Sequence, residues 1–254
     1  MIEIQTVGAL KDNYCYLVHR DGDERCLVID PSEPGPIERA LEAKGLRLGL
    51  ILNTHHHHDH VGGNRELVEK FKVPVFCSEH DRDRVPLAER GLRDGETFDF
   101  AGIEIRVMNI PGHTLGQIAF YLPEAKALFV GDTMFSMGCG RLFEGTPAMM
   151  LESFAKIGSL PPDTRLYFGH EYTVKNSEFA ESVEPGNAKI LERRRETLAN
   201  IERLGYAPAP TLGSEREVNP FFRASQPAIA KTLGLDGRTP LEVFTELRKR
   251  RDTF

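Results

Sequence analysis

Residues 54–60 of this chain, with the sequence THHHHDH, hold five of its nine histidines and one aspartate. Imidazole and carboxylate groups are the side chains with which proteins bind zinc, iron and manganese. The segment follows an apolar run at residues 48–53, which predicts a buried strand, and precedes residues 66–71, whose apolar spacing predicts a helix. A histidine tract left by an affinity tag would be terminal and would lack both neighbours. The segment therefore predicts a metal site where a strand ends.

The positions of this histidine run differ in what they can contribute. Alternate side chains of an extended chain share one face, so His55 and His57 should point into the same cleft. The intervening histidines point away and are interpreted as spacers; these are His56 and His58. The chain turns at the end of the run, which gives a second pair of candidate ligands, Asp59 and His60.

Three further strand-like runs each end at a glycine beside one potential ligand. These candidates are His113 in segment 110–114, Asp132 in segment 127–133 and His170 in segment 166–171. Each of them alone is more typical of a turn residue than of a ligand. Together with the two pairs from the histidine run, they suffice for two metal ions that share one bridging carboxylate.

These motifs carry a family resemblance. The string T-H-x-H-x-D-H, followed in order by G-H-T, G-D-T and G-H-E-Y, resembles the metallo-β-lactamase superfamily. Within that superfamily the chain is most similar to the glyoxalase II family, the hydroxyacylglutathione hydrolases. The segments that narrow the resemblance are GCGR at 138–141, GHEYT at 169–173 and NPF at 219–221. The resemblance extends over essentially the whole chain.

The resemblance implies a centre of two divalent metal ions, with zinc preferred and iron or manganese as alternatives. The implied ligands are His55, His57 and His113 for the first ion and Asp59, His60 and His170 for the second, with Asp132 bridging both. Asp59 and Asp132 are also the implied catalytic residues. The implied reaction is attack of a metal-bridging hydroxide on the thioester S-D-lactoylglutathione, which needs no serine or cysteine nucleophile. It yields glutathione and D-lactate, the last step of methylglyoxal detoxification.

The same resemblance implies that a basic C-terminal helix helps to bind the glutathione part of this substrate. The implied substrate-binding residues are Arg141, Phe143, Tyr172, Arg248 and Arg251. Arginine suits a carboxylate because its guanidinium can bind both oxygens. From charge alone, however, cations at a helix end are more typical of a solvated surface that complements the helix dipole. The family commonly has lysine where Arg141 stands and tyrosine where Phe143 stands, so this chain lacks one hydroxyl contact to the peptide.

Composition fits a cytoplasmic enzyme without nucleic-acid or membrane partners. The resemblance implies a small-molecule glutathione thioester as its partner, and a monomer is expected. The 254 residues carry a net charge of −6, which argues against a nucleic-acid groove, although the basic C-terminal cluster leaves that alternative open. No apolar run approaches the roughly 20 residues of a membrane span, and residues 1–5 lack the basic start of a signal peptide. Cys15, Cys26 and Cys77 lie in apolar runs that predict buried thiols. Cys139 is interpreted as a small packing residue, with a nucleophilic role left open.

The expected fold class is α/β: an αββα sandwich of two mixed β-sheets flanked by helices, with a C-terminal all-helical domain. The resemblance implies a catalytic domain at residues 1–170 and a helical substrate-binding domain at residues 171–254. In the latter, a helix is predicted at 187–204, followed by a Pro-Ala-Pro break and two more helices. Asp30 is interpreted as structural, and His19 and His80 as surface residues.

Other functions compete with the hydrolase. A persulfide dioxygenase has the same scaffold with one iron and would take up oxygen with glutathione persulfide. A nuclease of the superfamily would need an RNA exosite, and a β-lactamase would be secreted; neither feature is visible. A non-catalytic metal-binding module would bind metal without turning over any thioester. The complete ligand set for two ions and the basic C-terminal helix favour the hydrolase.

Overall fold

The computed structural model describes residues 1–254, which form two compact units. The first unit comprises Met1–Asn109 and Leu115–Gly131. The second comprises Ile110–Thr114 and Asp132–Phe254.

A mixed sheet forms one layer of the first unit. Its strands, in order across the sheet, are β1 (Ile2–Ala9), β2 (Asn13–Arg20), β3 (Arg25–Ile29), β4 (Arg47–Leu52), β5 (Val75–Ser78) and β6 (Ala88–Leu92). The first three strands are antiparallel, whereas the pairs from β3 to β6 are parallel. Parallel neighbours require crossover connections. These contain α1 (Pro34–Lys44), α2 (His58–Val61), α3 (Asn64–Phe71) and a short 3₁₀ helix (Glu79–Asp81).

The first unit also contributes antiparallel neighbours to a second sheet. They are β7 (Thr97–Phe100), β8 (Ile103–Asn109), β9 (Ile118–Leu122) and β10 (Ala127–Gly131). The alternation of side chains on β2 shows how the layers stack. Leu17 lies in one core with Ile37 of α1 and Leu67 of α3. Tyr16 points to the opposite face, where its ring lies 5.3 Å from that of Phe129 on β10. The first sheet therefore has helices on one face and the second sheet on the other.

The second unit holds three short strands and six helices. These elements are β11 (Met134–Phe135), β12 (Gly138–Cys139), α4 (Pro147–Gly158), β13 (Arg165–Phe168), α5 (Thr173–Val183), α6 (Ala188–Leu204), α7 (Leu212–Val218), α8 (Pro227–Leu233) and α9 (Pro240–Thr253). Helix α6 matches the predicted helix at 187–204, because Asn187 caps its start and Gly205 ends it in the left-handed conformation.

The prediction of two helices after the Pro-Ala-Pro break is wrong, because three are present. Pro227 and Pro240 each begin a helix, where a missing N–H group costs nothing. Gly234, with φ of 73°, ends α8 and separates it from α9. Gly234 was the sequence signal for a helix end here, and the continuous apolar pattern obscured it.

The predicted architecture of mixed sheets, flanking helices and a helical C-terminal part is confirmed. The expectation that His19 lies at the surface is wrong. His19 is buried on β2, with Nδ1 3.2 Å from the carbonyl oxygen of Arg20 and Nε2 3.3 Å from a carboxylate oxygen of Glu3. None of the helices combines the length and the apolar character that crossing a lipid bilayer would require.

Candidate metal centre

The histidine run begins at the end of β4, and Asp30 fixes its first residues. The backbone N–H of Thr54 donates to Asp30 Oδ1 at 2.7 Å, and Thr54 Oγ1 donates to Oδ2 at 2.6 Å. Both residues are buried, and Asp30 has a φ of 49°, which is uncommon outside glycine. The interpretation of Asp30 as structural therefore needs an addition, because this carboxylate anchors the ligand-bearing loop.

His55 and His57 point together, as their alternation predicts. His55 Nε2 lies 3.1 Å from His57 Nδ1. Thr54 Oγ1 has given its hydrogen to Asp30 and lies 3.1 Å from His55 Nδ1, so it accepts a hydrogen there and leaves His55 Nε2 with a lone pair. Nitrogens bound to one tetrahedral zinc at about 2.0–2.1 Å would be about 3.3 Å apart. The observed spacing fits two ligands of one cation.

The second pair of candidate ligands lies on α2. His60 Nδ1 is 3.0 Å from Asp30 Oδ2, so the carboxylate accepts the Nδ1 hydrogen and leaves Nε2 with a lone pair. His60 Nε2 is 3.6 Å from Asp59 Oδ2, which also accepts a 3.0 Å hydrogen bond from Asn13 Nδ2. Ligand atoms of Asp30, His55 and His60 lie within 4.8 Å of one another. Because both Asp30 oxygens accept hydrogen bonds from the loop, we assign Asp30 as the carboxylate that orients His60.

Asp132 lies beside two histidines of the second unit. Its Oδ2 is 3.6 Å from His113 Nε2 and 3.3 Å from His170 Nε2, and all three residues are buried. These separations are close to the spacing of about 3.3 Å expected between two ligands of one zinc ion. The donor set of two imidazoles and one carboxylate suits a borderline-soft divalent cation.

The loop after β12 sets the orientation of His113. His113 Nδ1 donates to the carbonyl oxygen of Arg141 at 2.8 Å, which leaves Nε2 with the lone pair on the side of Asp132. Gly140 packs directly on the backbone of Asp132, where a Cβ would lie 1.7 Å from the carbonyl oxygen. Only glycine fits this position, which accounts for the second glycine of the GCGR segment.

A cavity of about 370 Å³ in the second unit contains all five predicted substrate-binding residues. Its walls are formed by His113, Asp132, Phe135, Cys139, Arg141, Phe143, Tyr172, Lys175, Asn176, Arg248 and Arg251. Four of these side chains are cationic and one is a carboxylate. In a chain of net charge −6, this local excess of positive charge favours an anionic ligand.

Arg248 is the buried cation of this cavity. Its Nη1 donates to the carbonyl oxygens of Cys139 and Gly140, the latter at 3.3 Å, and Nη2 donates to Asp252 at 2.9 Å. The guanidinium also lies over the ring of Phe221, 5.6 Å from its centre. Arg248 therefore lines the cavity and also holds in place the Cys139–Gly140 backbone next to it.

The other two arginines are more accessible. Arg251 Nη2 donates to Asn176 Oδ1 at 3.2 Å, and partial burial lowers the pKa of its guanidinium. Arg141 lies over the ring of Phe143, 6.0 Å from its centre, and the Phe143 ring packs edge-on against His113. The Tyr172 ring stacks on His170 with centroids 5.0 Å apart. The predicted substrate residues thus directly adjoin two candidate metal ligands.

Three cavity residues were not predicted from the sequence, namely Phe135, Lys175 and Asn176. Lys175 and Asn176 follow Tyr172 by three and four residues, which places them on the same side of the first turn of α5. Helical spacing from the GHEYT segment was the signal that could have identified these two.

The open question about Cys139 is answered by its environment. Its thiol is buried, and desolvation raises its pKa to about 12. At neutral pH the group is therefore a thiol and not a nucleophilic thiolate. Cys139 is a small packing residue between two glycines.

Comparison with known proteins gives matches over the whole chain. Residues 10–170 match the model of the metallo-beta-lactamase superfamily, and residues 171–254 match that of the hydroxyacylglutathione hydrolase C-terminus. A hydroxyacylglutathione hydrolase from Methylococcus capsulatus is 44% identical over 100% of this chain and 99% of its own length. One from Ruegeria pomeroyi is 42% identical, again over 100% and 99%. The crystal structure of TTHA1623 in a di-iron-bound form aligns with a TM-score of 0.62 and 29% identity, covering 86% of this chain and 99% of that one.

Proposed function

This chain belongs to the metallo-β-lactamase superfamily and, within it, to the hydroxyacylglutathione hydrolases, and from this membership we propose that it hydrolyses 2-hydroxyacyl thioesters of glutathione. The proposed substrate is S-D-lactoylglutathione, and the products are glutathione and D-lactate. One observation carries the proposal: a cavity rich in arginine adjoins His113 and Asp132. Glutathione has two carboxylates, so a cationic wall beside the reacting centre suits it.

We propose seven metal ligands, in the sets that the family resemblance implies. They are His55, His57 and His113 for one ion, Asp59, His60 and His170 for the other, and Asp132 for both. The 3.1 Å spacing of His55 and His57 and the contacts of Asp132 support these sets. Two bound divalent ions would supply a nucleophile from water and polarise the thioester carbonyl. Zinc is the preferred metal, and the di-iron form of the related TTHA1623 makes iron the first alternative, ahead of manganese.

The two catalytic carboxylates have different surroundings. The side chain of Asp132 is 10% exposed and flanked by two imidazoles, which suits a fixed ligand. The side chain of Asp59 is 39% exposed, and Asn13 holds one of its oxygens. Asp59 is therefore the more solvent-accessible of the two carboxylates. A thiolate leaves readily, so the cavity needs no strong general acid for the sulfur.

The glutathione portion is proposed to bind along the arginine-lined wall. Arg141 and Arg251 are placed to contact a carboxylate, and Tyr172 can donate its hydroxyl hydrogen to the peptide. Phe143, 60% exposed, offers the same stretch of substrate an apolar face without a hydroxyl group. Lys175 adds a fourth cation that the sequence analysis did not assign.

The functional division of the chain follows from these assignments. We propose a catalytic domain at residues 1–170 and a substrate-binding domain at residues 171–254, which carries Tyr172, Arg248 and Arg251. A reducing compartment such as the cytoplasm is proposed because all four cysteines are free and buried. A monomer is proposed to suffice, because one chain carries every assigned ligand.

The test is hydrolysis of S-D-lactoylglutathione, followed by the loss of thioester absorbance with D-lactate measured as product. We expect turnover by the native protein and a severe loss of turnover in Asp132→Asn. The control Asp236→Asn, at an exposed site, should retain the turnover of the native protein. Oxygen uptake with glutathione persulfide and no thioester hydrolysis would instead assign the dioxygenase reaction. Metal binding without turnover of either substrate would make the chain a metal-binding module.

A further inference from the structure

His56 stands between two proposed ligands and has a partner of its own. Its Nδ1 lies 3.0 Å from Asp81 Oδ2, and its Nε2 contacts Arg84 Nη2. Its position in the histidine run predicted that His56 is a spacer that points away from the cleft. It does point away, but into a buried carboxylate 25 residues further along the chain.

Asp81 is a fully buried carboxylate at the end of the 3₁₀ helix after β5. Besides His56, it contacts His80 Nδ1 at 3.1 Å and Arg84 Nη1 at 3.4 Å. Gly116 closes the space on another side, since a Cβ there would lie 2.3 Å from the Asp81 carboxyl carbon. A buried carboxylate held from several sides is a rigid acceptor. His80 therefore has a partner that the sequence analysis did not foresee.

These contacts determine which ring nitrogen of His56 carries the hydrogen. A guanidinium can only donate, so Nε2 of His56 accepts from Arg84. Nδ1 must then carry the hydrogen and donate it to Asp81. Both nitrogens are engaged, so the ring cannot rotate without breaking two hydrogen bonds.

The fixed ring adjoins two of the proposed ligands of the first ion, His55 and His57. His56 is covalently linked to His55 and His57, and its ring packs against that of His57 with centroids 4.8 Å apart at 67°. We infer that the hydrogen bond from His56 to Asp81 positions the loop so that His55 and His57 present their nitrogens to one metal ion. His56 is thus a positioning residue and not a ligand. The inference rests on the proposed function, because it needs His55 and His57 to bind metal.

The test is the affinity of the metal-free protein for Zn²⁺, measured by competition with a chromophoric chelator. In His56→Ala we expect zinc affinity about 10–100-fold weaker, as is typical when a partner of a ligand is lost. His56→Asn should restore most of it, because its Nδ2 carries a hydrogen at the same distance from the backbone as His56 Nδ1. His58→Ala is the matched control, because this exposed histidine also stands between two proposed ligands; its affinity should equal that of the native protein.

Thermal unfolding of the metal-free variants separates positioning from folding. If His56→Ala does not fold, Asp81→Asn takes its place, since it keeps the size of the side chain and removes its charge. Equal zinc affinities of His56→Ala and His58→Ala, with zinc bound by the native protein, would overturn the inference and leave the proposed function intact. A native protein that binds no zinc, iron or manganese would overturn the proposed function itself.

Discussion

Arg248 on the C-terminal helix donates a hydrogen bond from Nη1 to the carbonyl oxygen of Cys139, 109 residues earlier in the chain. Cys139 and Gly140 lead into Arg141, whose carbonyl oxygen accepts the hydrogen of His113 Nδ1. One buried guanidinium therefore holds the loop that orients a proposed metal ligand. This relationship gives Arg248 a role beyond the contact with substrate that the family resemblance implies.

Arg248→Ala should destabilise the protein. Loss of the guanidinium removes a donor from the Cys139 carbonyl oxygen and leaves the Gly140 carbonyl oxygen with only the weak Cys139 thiol, at a cost of about 2 kcal/mol in the free energy of unfolding. The measurement is urea denaturation of the metal-free protein. Lys249→Ala, on the exposed side of the same helix, is the control and should change the free energy by less than about 0.5 kcal/mol. Equal stabilities of the two variants would show that Arg248 only contacts ligand.

Arg251→Ala should act on substrate affinity. Its guanidinium lines the cavity and is proposed to bind a carboxylate of glutathione, so we expect KM for the thioester to rise about 10-fold with a smaller effect on kcat. Initial rates over a range of S-D-lactoylglutathione concentrations give both constants. Arg251→Lys should keep part of the affinity, because the charge remains while the planar guanidinium that can bind both carboxylate oxygens is lost. An unchanged KM in Arg251→Ala would remove this residue from the substrate site.

Glu215 is the buried centre of a hydrogen-bond network beneath the β11–β12 hairpin. It accepts hydrogen bonds from Ser136 Oγ at 2.9 Å, from the Met137 N–H at 2.8 Å and from Arg193 Nη1 at 2.9 Å. Glu215→Ala leaves the arginine unpaired and should lower the free energy of unfolding by about 3–5 kcal/mol.

The control for this prediction lies two residues further along α7. Glu217 pairs with Lys189 at the surface, so Glu217→Ala should cost less than about 1 kcal/mol. Chemical denaturation of both variants measures the difference. Similar small losses would mean that the network contributes little to stability.

Stability should fall at alkaline pH because of the buried thiols. Burial raises the pKa of Cys15 to about 11 and the pKa values of Cys26, Cys77 and Cys139 to about 12, from an ordinary value of 9.0. Above pH 9 the unfolded chain releases these protons while the folded protein keeps them, so the free energy of unfolding decreases as pH rises towards the folded values. Each thiol steepens the slope by at most about 1.4 kcal/mol per pH unit.

Denaturation between pH 8 and pH 11 measures this slope. Cys26→Ala removes one titrating group and should make the decline shallower, whatever it does to stability at pH 8. A variant with the slope of the native protein would show that the Cys26 thiol is not protonated in the folded state above pH 9.

The sequence predicted local features better than it predicted partners. The alternation of His55 and His57 needs only the geometry of an extended chain, and the structure brings their nitrogens together. The apolar run at residues 48–53 predicted a buried strand, and β4 runs from Arg47 to Leu52. Patterns confined to a few residues specify such features.

The contacts that the sequence did not reveal join residues far apart in the chain. Asp81 meets His56 because β5 and β4 are parallel neighbours, and no short motif encodes that adjacency. Arg248 was assigned to substrate on the basis of the family resemblance, whereas its burial and its carbonyl partners depend on how α9 packs. Long-range pairing therefore decides which polar groups orient the proposed ligands.

The central claim is metal-dependent hydrolysis of a glutathione thioester, and one assay on three states of the protein tests it. The loss of S-D-lactoylglutathione absorbance is followed with the native protein, with the chelated protein after elemental analysis has confirmed metal removal, and with the same sample after Zn²⁺ is restored. We predict rapid hydrolysis, then none, then recovery as about two ions bind per chain. Undiminished hydrolysis by the metal-free protein, or no hydrolysis with two ions bound, would contradict the account.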